Sequence, residues 1–498
     1  MIGADAAATA GGQSRGHPWA LLAVLLLGQF MALLDVTIVN VALPVIGRDL
    51  HSSGAALQLV VGGYTICYAM LLITGARLGD LYGRRRMYLL GAVGFTVGSL
   101  LCGVAPTSLF LVAARFLQGA AAAVMVPQVM SVIQMRFTGP VRARALSAYG
   151  AVLSLGAVLG LVLGGVLVEA DLFGTGWRPV FLVNVPLGAL LIALVPRLVP
   201  ADEPTGRRRL DLGGLVVSAA AVFLVVLPLV EGHELAWPAW TFLALAAGVL
   251  LAAVFVPIER AIVRRGGDPL LNLEVVRAPG LGAGLVTLLL MQVGYGGFLF
   301  SFALHLQSGL GDGALRAGLT FVPMAALFGI VGFSWRALPR RAQPVLPGLG
   351  LVLCVAGYLT MSAVLRDGSH GGPWLWAALV GYGAGMGASF SPLLTQSLVH
   401  VPPTRAADAS GLFTTTMQLG QLTGVAAFGT VFLSVAQPFT VASSARAVSG
   451  TFDWLALLAA VGAVAGLLLA RTVVRSQAAG AEPPRTAVPT DSRVGASR

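Results

Sequence analysis

The sequence has no lysine, and every one of its 31 basic residues is an arginine. Charged residues of both signs make up only 10% of the 498 positions, against about 25% in a soluble protein. A chain so poor in charge cannot face water over most of its surface. Cysteine is nearly absent as well. Cys67, Cys102 and Cys354 each lie in an apolar run with no CxxC or CxxxC spacing, which argues against a disulfide framework or a zinc site and leaves packing as their role. No GxxxxGK[ST] stretch is present to cradle phosphates. Polar stretches between apolar runs are too short for a soluble catalytic domain.

What the chain does have is hydrophobic length. It is 57% hydrophobic, with a mean hydropathy of +0.87, and its 64 glycines sit inside apolar runs, as in helices that pack closely in lipid. A helix needs about 20 mainly apolar residues to cross a bilayer. Windows of that kind fall near 18–42, 56–75, 87–105, 108–134, 144–168, 179–198 and 211–231. Seven more fall near 239–259, 281–306, 315–337, 345–365, 374–399, 409–435 and 453–473. Glycine and proline blur the boundaries around 300–340. The first window has no small-residue cleavage site and continues past Asp35, so it reads as a span and not a signal peptide.

Arginine placement tests this count. With a cytoplasmic N-terminus and alternating spans, 25 of the 31 arginines fall on the inner side, 5 on the outer side, and Arg115 within a span. That asymmetry is the positive-inside pattern, with both termini cytoplasmic. Because the arginines lie between apolar segments, a nucleic-acid-binding role is not supported. The segment after Arg475 is rich in Pro, Ala and Ser without periodicity, as expected of a disordered tail.

Four motifs stand on this frame. Between spans 2 and 3 lie Asp80, Gly83, Arg84, Arg85 and Arg86, an acid and glycine leading into an arginine cluster. The carboxylate can cap a helix or pair with an arginine in one conformation and release it in another. A plain positive-inside anchor would account for the arginines but not for Asp80 and Gly83. Span 1 carries Leu34 to Pro44 around Asp35, and span 4 carries Arg115, Phe116, Leu117, Gln118 and Gly119. Span 5 carries Gly156, Gly160, Gly164 and Gly165, followed by Trp177, Arg178 and the stretch Phe181 to Pro186. In this order the set resembles the major facilitator superfamily, and within it the fourteen-span drug:proton antiporters. The chain departs from the family pattern at Ala76, where the loop signature has glycine, and at Leu161, where the span-5 motif GxxxGPxxGG has proline.

The resemblance implies an all-α membrane protein of two six-helix bundles, residues 18–200 and 279–473, with two inserted helices in 201–278. Residues 1–17 and 474–498 would be cytoplasmic tails. It further implies a monomer in the cell's inner membrane, without cofactor or metal, that exchanges a small lipophilic molecule for protons. The substrate would sit near the midplane between halves that rock alternately. A weak echo of the span-5 glycines, Gly420, Gly424 and Gly429, appears in span 13. A proton-coupled importer on the same fold is the alternative reading. A non-transporting sensor would need a soluble output domain.

A charge at the bilayer centre costs about 2.5–3.5 kcal/mol on insertion scales, so Asp35 and Arg115 need a partner or a task. Asp35 lies nine residues before Pro44, roughly 13 Å from the outer end of span 1, and Arg115 roughly 10 Å into span 4. Asp35 is therefore the candidate proton acceptor and Arg115 its charge partner, with a fixed structural pair as the alternative. Asp80, Gly83, Arg84 and Arg85 are the candidate gate, and the span-5 glycines a helix-packing stripe. Gln118, Gln292, Gln396, Gln418 and Gln421 are amides that either glue helices or line a pocket with Tyr295 and Phe298. His305 sits near a span end, where a structural role is expected.

Overall fold

The computed structural model describes residues 18–480, apart from 53, 203–210, 233–234, 236, 268, 271–272, 403–404, 437 and 439. Among the described residues every regular element is helical. The first half contains α1 (Pro18–Asp49), α2 (Gly54–Tyr82), α3 (Arg84–Gly103), α4 (Ser108–Arg136), α5 (Gly139–Glu169), α6 (Pro179–Leu182) and α7 (Asn184–Leu198). Two further helices follow, α8 (Leu212–Glu231) and α9 (Ala239–Arg264). The second half contains α10 (Leu281–Leu304), α11 (Ala314–Thr320), α12 (Val322–Ser334), α13 (Leu346–Leu365), α14 (Gly372–Leu398), α15 (Ala406–Ala436) and α16 (Val441–Gly480). Among the described residues eleven helical stretches are long and apolar enough to cross a membrane, and Gly213–Leu229 is a shorter apolar one.

Helix ends differ from the hydropathy windows where packing outweighs composition. Helix α1 runs on to Asp49 because Ile46 is still buried, and α16 begins at Val441 because Ala445, Ala447 and Val448 pack inside. The span at 179–198 is divided at Val183 and that at 315–337 at Phe321, each shortly before a proline that lacks the N–H a continuing helix would use. Helix α5 is continuous through residue 161, as expected where leucine takes the place of proline.

The two halves repeat one packing scheme. In the first, α2 packs on α4, α3 on α4 and α7, and α1 on α5. In the second, α12 packs on α14, α13 on α14 and α16, and α10 on α15. Helix α8 seats Val222 and Val226 against Ile66 and Ala69 of α2 and Leu419 and Leu422 of α15, so it touches both halves. Helix α9 turns Leu243, Val249 and Leu250 outward, as a lipid-facing helix does.

Hydrophobic burial does not drive helices together in lipid, so close approach must come from small residues. Gly156, Gly160 and Gly164 run along the α5 face that meets Leu33 to Val41 of α1, and Gly165 is buried beside them. Gly420, Gly424 and Gly429 meet α10 in the corresponding way, which gives the span-13 echo a structural meaning. A Cβ at position 160 would lie 2.9 Å from the Leu34 carbonyl oxygen and run into the Thr37 hydroxyl. Gly160→Val is expected to destabilise the protein by about 1–3 kcal/mol. Gly450→Val, where nothing lies within 4 Å, is the control. Melting curves in detergent that coincide for the two variants would contradict this packing argument.

Candidate functional site

Helix α1 continues past the sequence window to Asp49 and carries Asp35 fourteen residues before that end. Arg115 on α4 meets it, with Nη1 2.5 Å from Asp35 Oδ2 and both side chains fully enclosed. Five further groups complete the shell. Gln118 Nε2 donates to Asp35 Oδ1 at 2.7 Å, and Asn184 Nδ2 donates to the same oxygen at 2.9 Å. Gln118 also donates to Ser99 Oγ at 2.8 Å and accepts from Arg115 Nη1 at 2.8 Å. Arg115 Nε donates to the Val60 carbonyl at 2.7 Å, and its guanidinium lies over the Tyr64 ring, 4.5 Å from the centroid. Helices α1, α2, α3, α4 and α7 thus each contribute. A buried ion pair offsets its desolvation only when its remaining lone pairs and protons are satisfied, and this one has that shell.

Toward the end of the bundle remote from the arginine-rich turns, the pair is covered. Trp177 is fully buried and donates Nε1 to Asp49 at 2.9 Å, while Phe181 lies below it, 5.7 Å from the Arg115 guanidinium. Asp49, at the exposed helix end, has its carboxyl pulled below the ordinary value of 3.8, first by the Trp177 hydrogen bond and then by Arg178. A depressed carboxylate holds its tie above its unfolded pKa and loses it as pH falls through the folded value. This closure therefore persists across the neutral range.

On the other side of Tyr64 lies a central cavity between the halves. Its first-half wall is Gln29, Ala32, Leu33 and Val36 of α1, Tyr64 and Tyr68 of α2, Val126 of α4, and Tyr149 and Leu153 of α5. Its second-half wall is Gln292 and Tyr295 of α10 with Thr414, Met417, Gln418 and Gln421 of α15. Asp35 is absent from the lining although its neighbour Val36 is present, so Tyr64 stands between the cavity and the ion pair. About 60 Å³ is open, well below the 300–1,000 Å³ of small-molecule sites. The halves must part to admit a ligand.

Of the sequence-derived pocket residues, Gln292, Tyr295, Gln418 and Gln421 line this cavity. Three do not. Gln118 faces α1 and α3, one turn from Arg115, and belongs to the ion-pair shell. Phe298 is rotated into an aromatic cluster within the second half, 4.6 Å from Tyr382 and 5.5 Å from Phe302 between ring centroids. Gln396 lies near the arginine-rich end and donates to the Gln343 carbonyl at 2.8 Å. His305 is fully buried under α16, 2.8 Å from Ser444 Oγ.

At the arginine-rich end, Gly83 separates α2 from α3 with φ of +92°, a conformation that favours glycine. Asp80 pairs with Arg84 and lies 3.9 Å from Arg77, and both arginines are buried. Asp202 accepts from the Arg84 and Arg85 backbone N–H groups at 2.9 and 3.2 Å, which caps α3. Arg85 donates to the Pro196 carbonyl at 2.9 Å. Three side-chain hydrogen bonds join the halves near this end: Gln134 to Ser410 at 2.8 Å, Trp335 to Ser147 at 3.1 Å, and Arg336 to the Pro140 carbonyl at 3.2 Å. Trp335→Phe keeps an aromatic ring, though a smaller one, and leaves the buried Ser147 hydroxyl without that donor, which by itself costs the closed state about 0.5–1.5 kcal/mol. Spin labels at positions 144 and 340 are expected to shift toward longer separations in this variant. An unchanged distance distribution would remove the bond from the closure.

Sequence reasoning missed Asn184, Ser99, Tyr64, Gln29 and Asp202 as site residues. Asn184 had a visible signal, an amide inside the apolar stretch Phe181 to Pro186. Asp202 had none, because its partners lie about 118 residues away in the chain.

Known proteins resemble this chain at three levels. Residues 25–425 match the family model described as Major Facilitator Superfamily. A probable actinorhodin transporter of Streptomyces coelicolor is 40% identical over 84% of this chain and 73% of its own length. A cephamycin export protein of Amycolatopsis lactamdurans is 37% identical over 81% and 82%, and a tetracenomycin C resistance and export protein of Streptomyces glaucescens 32% identical over 84% and 77%. Among solved structures, the human organic anion transporter MFSD10 superposes with a TM-score of 0.60 at 16% identity, covering 89% of this chain and 99% of that one. The fold and the family are those of multi-pass membrane transporters and not of enzymes. The chain belongs to the major facilitator superfamily.

Proposed function

We propose that this protein exports a lipophilic antibiotic or metabolite from the cell in exchange for protons, as a monomer with fourteen spans in the inner membrane. Both termini and the arginine-rich turns would face the cytosol, where arginine is retained. The inserted pair would fall in 201–278, between bundles 18–200 and 279–473. Relatives named for antibiotic export and resistance support the efflux direction. The observation that carries the reading is the single Tyr64 ring shared by the cavity and the buried Asp35–Arg115 pair.

The proposed coupling follows from two opposed terms. Arg115 favours ionised Asp35, while complete burial favours protonation. When Asp35 takes a proton, Arg115 loses its counter-charge and shifts toward its other partners, one of which is the Tyr64 face. Tyr64 forms part of the cavity wall, so the wall changes with the proton. By linkage, a ligand that prefers the present wall disfavours the proton by the same free energy. That reciprocal exclusion is what antiport requires.

Tyr64→Leu removes a cation–π contact of about 0.5–2 kcal/mol but leaves the ion pair in place. Export from dye-loaded cells is expected to fall several-fold in this variant, whereas Tyr64→Phe retains most of it. A protonophore should stop wild-type export. Wild-type export that ignores the protonophore would contradict proton coupling, and an unchanged Leu variant would remove Tyr64 from the route.

A further inference from the structure

We propose that the central cavity is built for an uncharged, flat aromatic compound whose edge carries both hydroxyl and carbonyl groups. The inference names the substrate class of the site above and rests on the reading of that cavity as the transport site.

Charge is the first criterion. Among the described residues the lining contains glutamine, tyrosine, threonine and apolar side chains, with no acidic or basic residue. Asp35 and Arg115 lie behind the wall and neutralise one another. A tyrosine-rich cavity can also bind cations through ring faces. Here, however, the Tyr64 face is already occupied by Arg115, whose positive charge lies one ring away from any ligand stacked on that wall. A cationic ligand would meet no carboxylate in the lining and a guanidinium behind the nearest ring.

Shape is the second. Tyr64 and Tyr68, one turn apart on α2, are close to parallel, with 20° between planes and 6.0 Å between centroids. They are stacked on one another, so this wall presents near-parallel aromatic surfaces against which a flat ring system packs better than a globular one.

Hydrogen bonding is the third and most selective. Gln29 on one wall and Tyr295 on the other are more than nine-tenths buried, and Gln29 Oε1 and the Tyr295 hydroxyl have no partner among the described residues. A buried polar atom left unpaired costs about 1–3 kcal/mol, so a ligand that satisfies both is favoured over one that satisfies neither. Gln29 Oε1 requires a donor, which a ligand hydroxyl supplies. The Tyr295 hydroxyl can donate to a ligand carbonyl. Gln418 and Gln421, also in the lining, offer amides that donate and accept at once.

The test measures binding to the full-length protein in nanodiscs, using three flat probes of similar size. They are 2,6-dihydroxyanthraquinone in mildly acidic buffer (neutral, its hydroxyls out of reach of its own carbonyls), anthracene (neutral, without either group) and ethidium (cationic). The hydroxyquinone is expected to bind about ten-fold or more tightly than either other probe. Gln29→Leu and Tyr295→Phe should each weaken the hydroxyquinone several-fold and leave anthracene unchanged. Tyr295→Phe keeps the ring, so it decides the matter if Gln29→Leu fails to fold. Ethidium binding as tightly as the hydroxyquinone, or hydroxyquinone affinity unmoved by Tyr295→Phe, overturns the proposal. If the hydroxyquinone binds with this pattern but is not carried against a proton gradient, the ligand class stands and the export reading fails. If ethidium is exported under that gradient while the hydroxyquinone does not bind, the export reading stands and the ligand class fails.

Discussion

Asp35→Asn is expected to abolish proton-driven export and to lower stability by about 3–5 kcal/mol. The two effects share one cause. The carboxylate accepts from Arg115, Gln118 and Asn184 inside a site closed to solvent. An amide in its place leaves the guanidinium as an uncompensated buried charge, and it removes the group that can alternate between two protonation states. The double variant Asp35→Asn with Arg115→Gln carries no net charge, so it should recover much of the stability while remaining uncoupled. Melting in detergent and export assays on the same preparations separate the two consequences. A double variant with restored stability and proton-driven export would make the pair a structural element alone.

Asp80→Asn is expected to have an effect of similar size at the arginine-rich end. Asp80 pairs with Arg84 and faces Arg77, and both guanidiniums are buried while Arg77 Nε and Nη2 have no hydrogen-bond partner among the described residues. Without the carboxylate the two buried cations lose the counter-charge they share, although Asp202 still pairs with Arg84 and Asp408 lines the same pocket as Arg77. A loss of about 3–5 kcal/mol follows, partly recovered by adding Arg77→Gln. Thermal melting of both variants checks the claim. If Asp80→Asn melts with the wild type, the cluster is only a positive-inside anchor and has no carboxylate-centred structure.

Much of this architecture is legible in the sequence because lipid imposes a simple rule. Every helix in the first half overlaps a hydropathy window, and the chain's sparse charges make Asp35 and Arg115 stand out. Their meeting could be anticipated from similar depth, although the window stops short of the end of α1, which Ile46 and its neighbours extend. Neutral polar residues are harder to read. Ser99, Gln118 and Asn184 serve the carboxylate, whereas Gln396 ties a turn at the arginine-rich end, and no local pattern distinguishes these uses. Aromatic residues pose the same problem. Tyr295 lines the cavity and Phe298, three residues on, does not, because helical rotation turns them toward different neighbours. Asp202 joins the Asp80–Arg84 cluster only through folding, as chain-distant contacts do.

The central claim is that a ligand in the cavity and a proton on the Asp35 carboxylate exclude one another through Tyr64. Proton release by purified, full-length protein in weakly buffered detergent solution, upon addition of a transported compound, tests it most directly. The wild type should release protons as ligand binds, and the stability-matched Asp35→Asn, Arg115→Gln double variant should bind without release. Release of equal size from the double variant, or binding by the wild type with no proton leaving, would contradict the account.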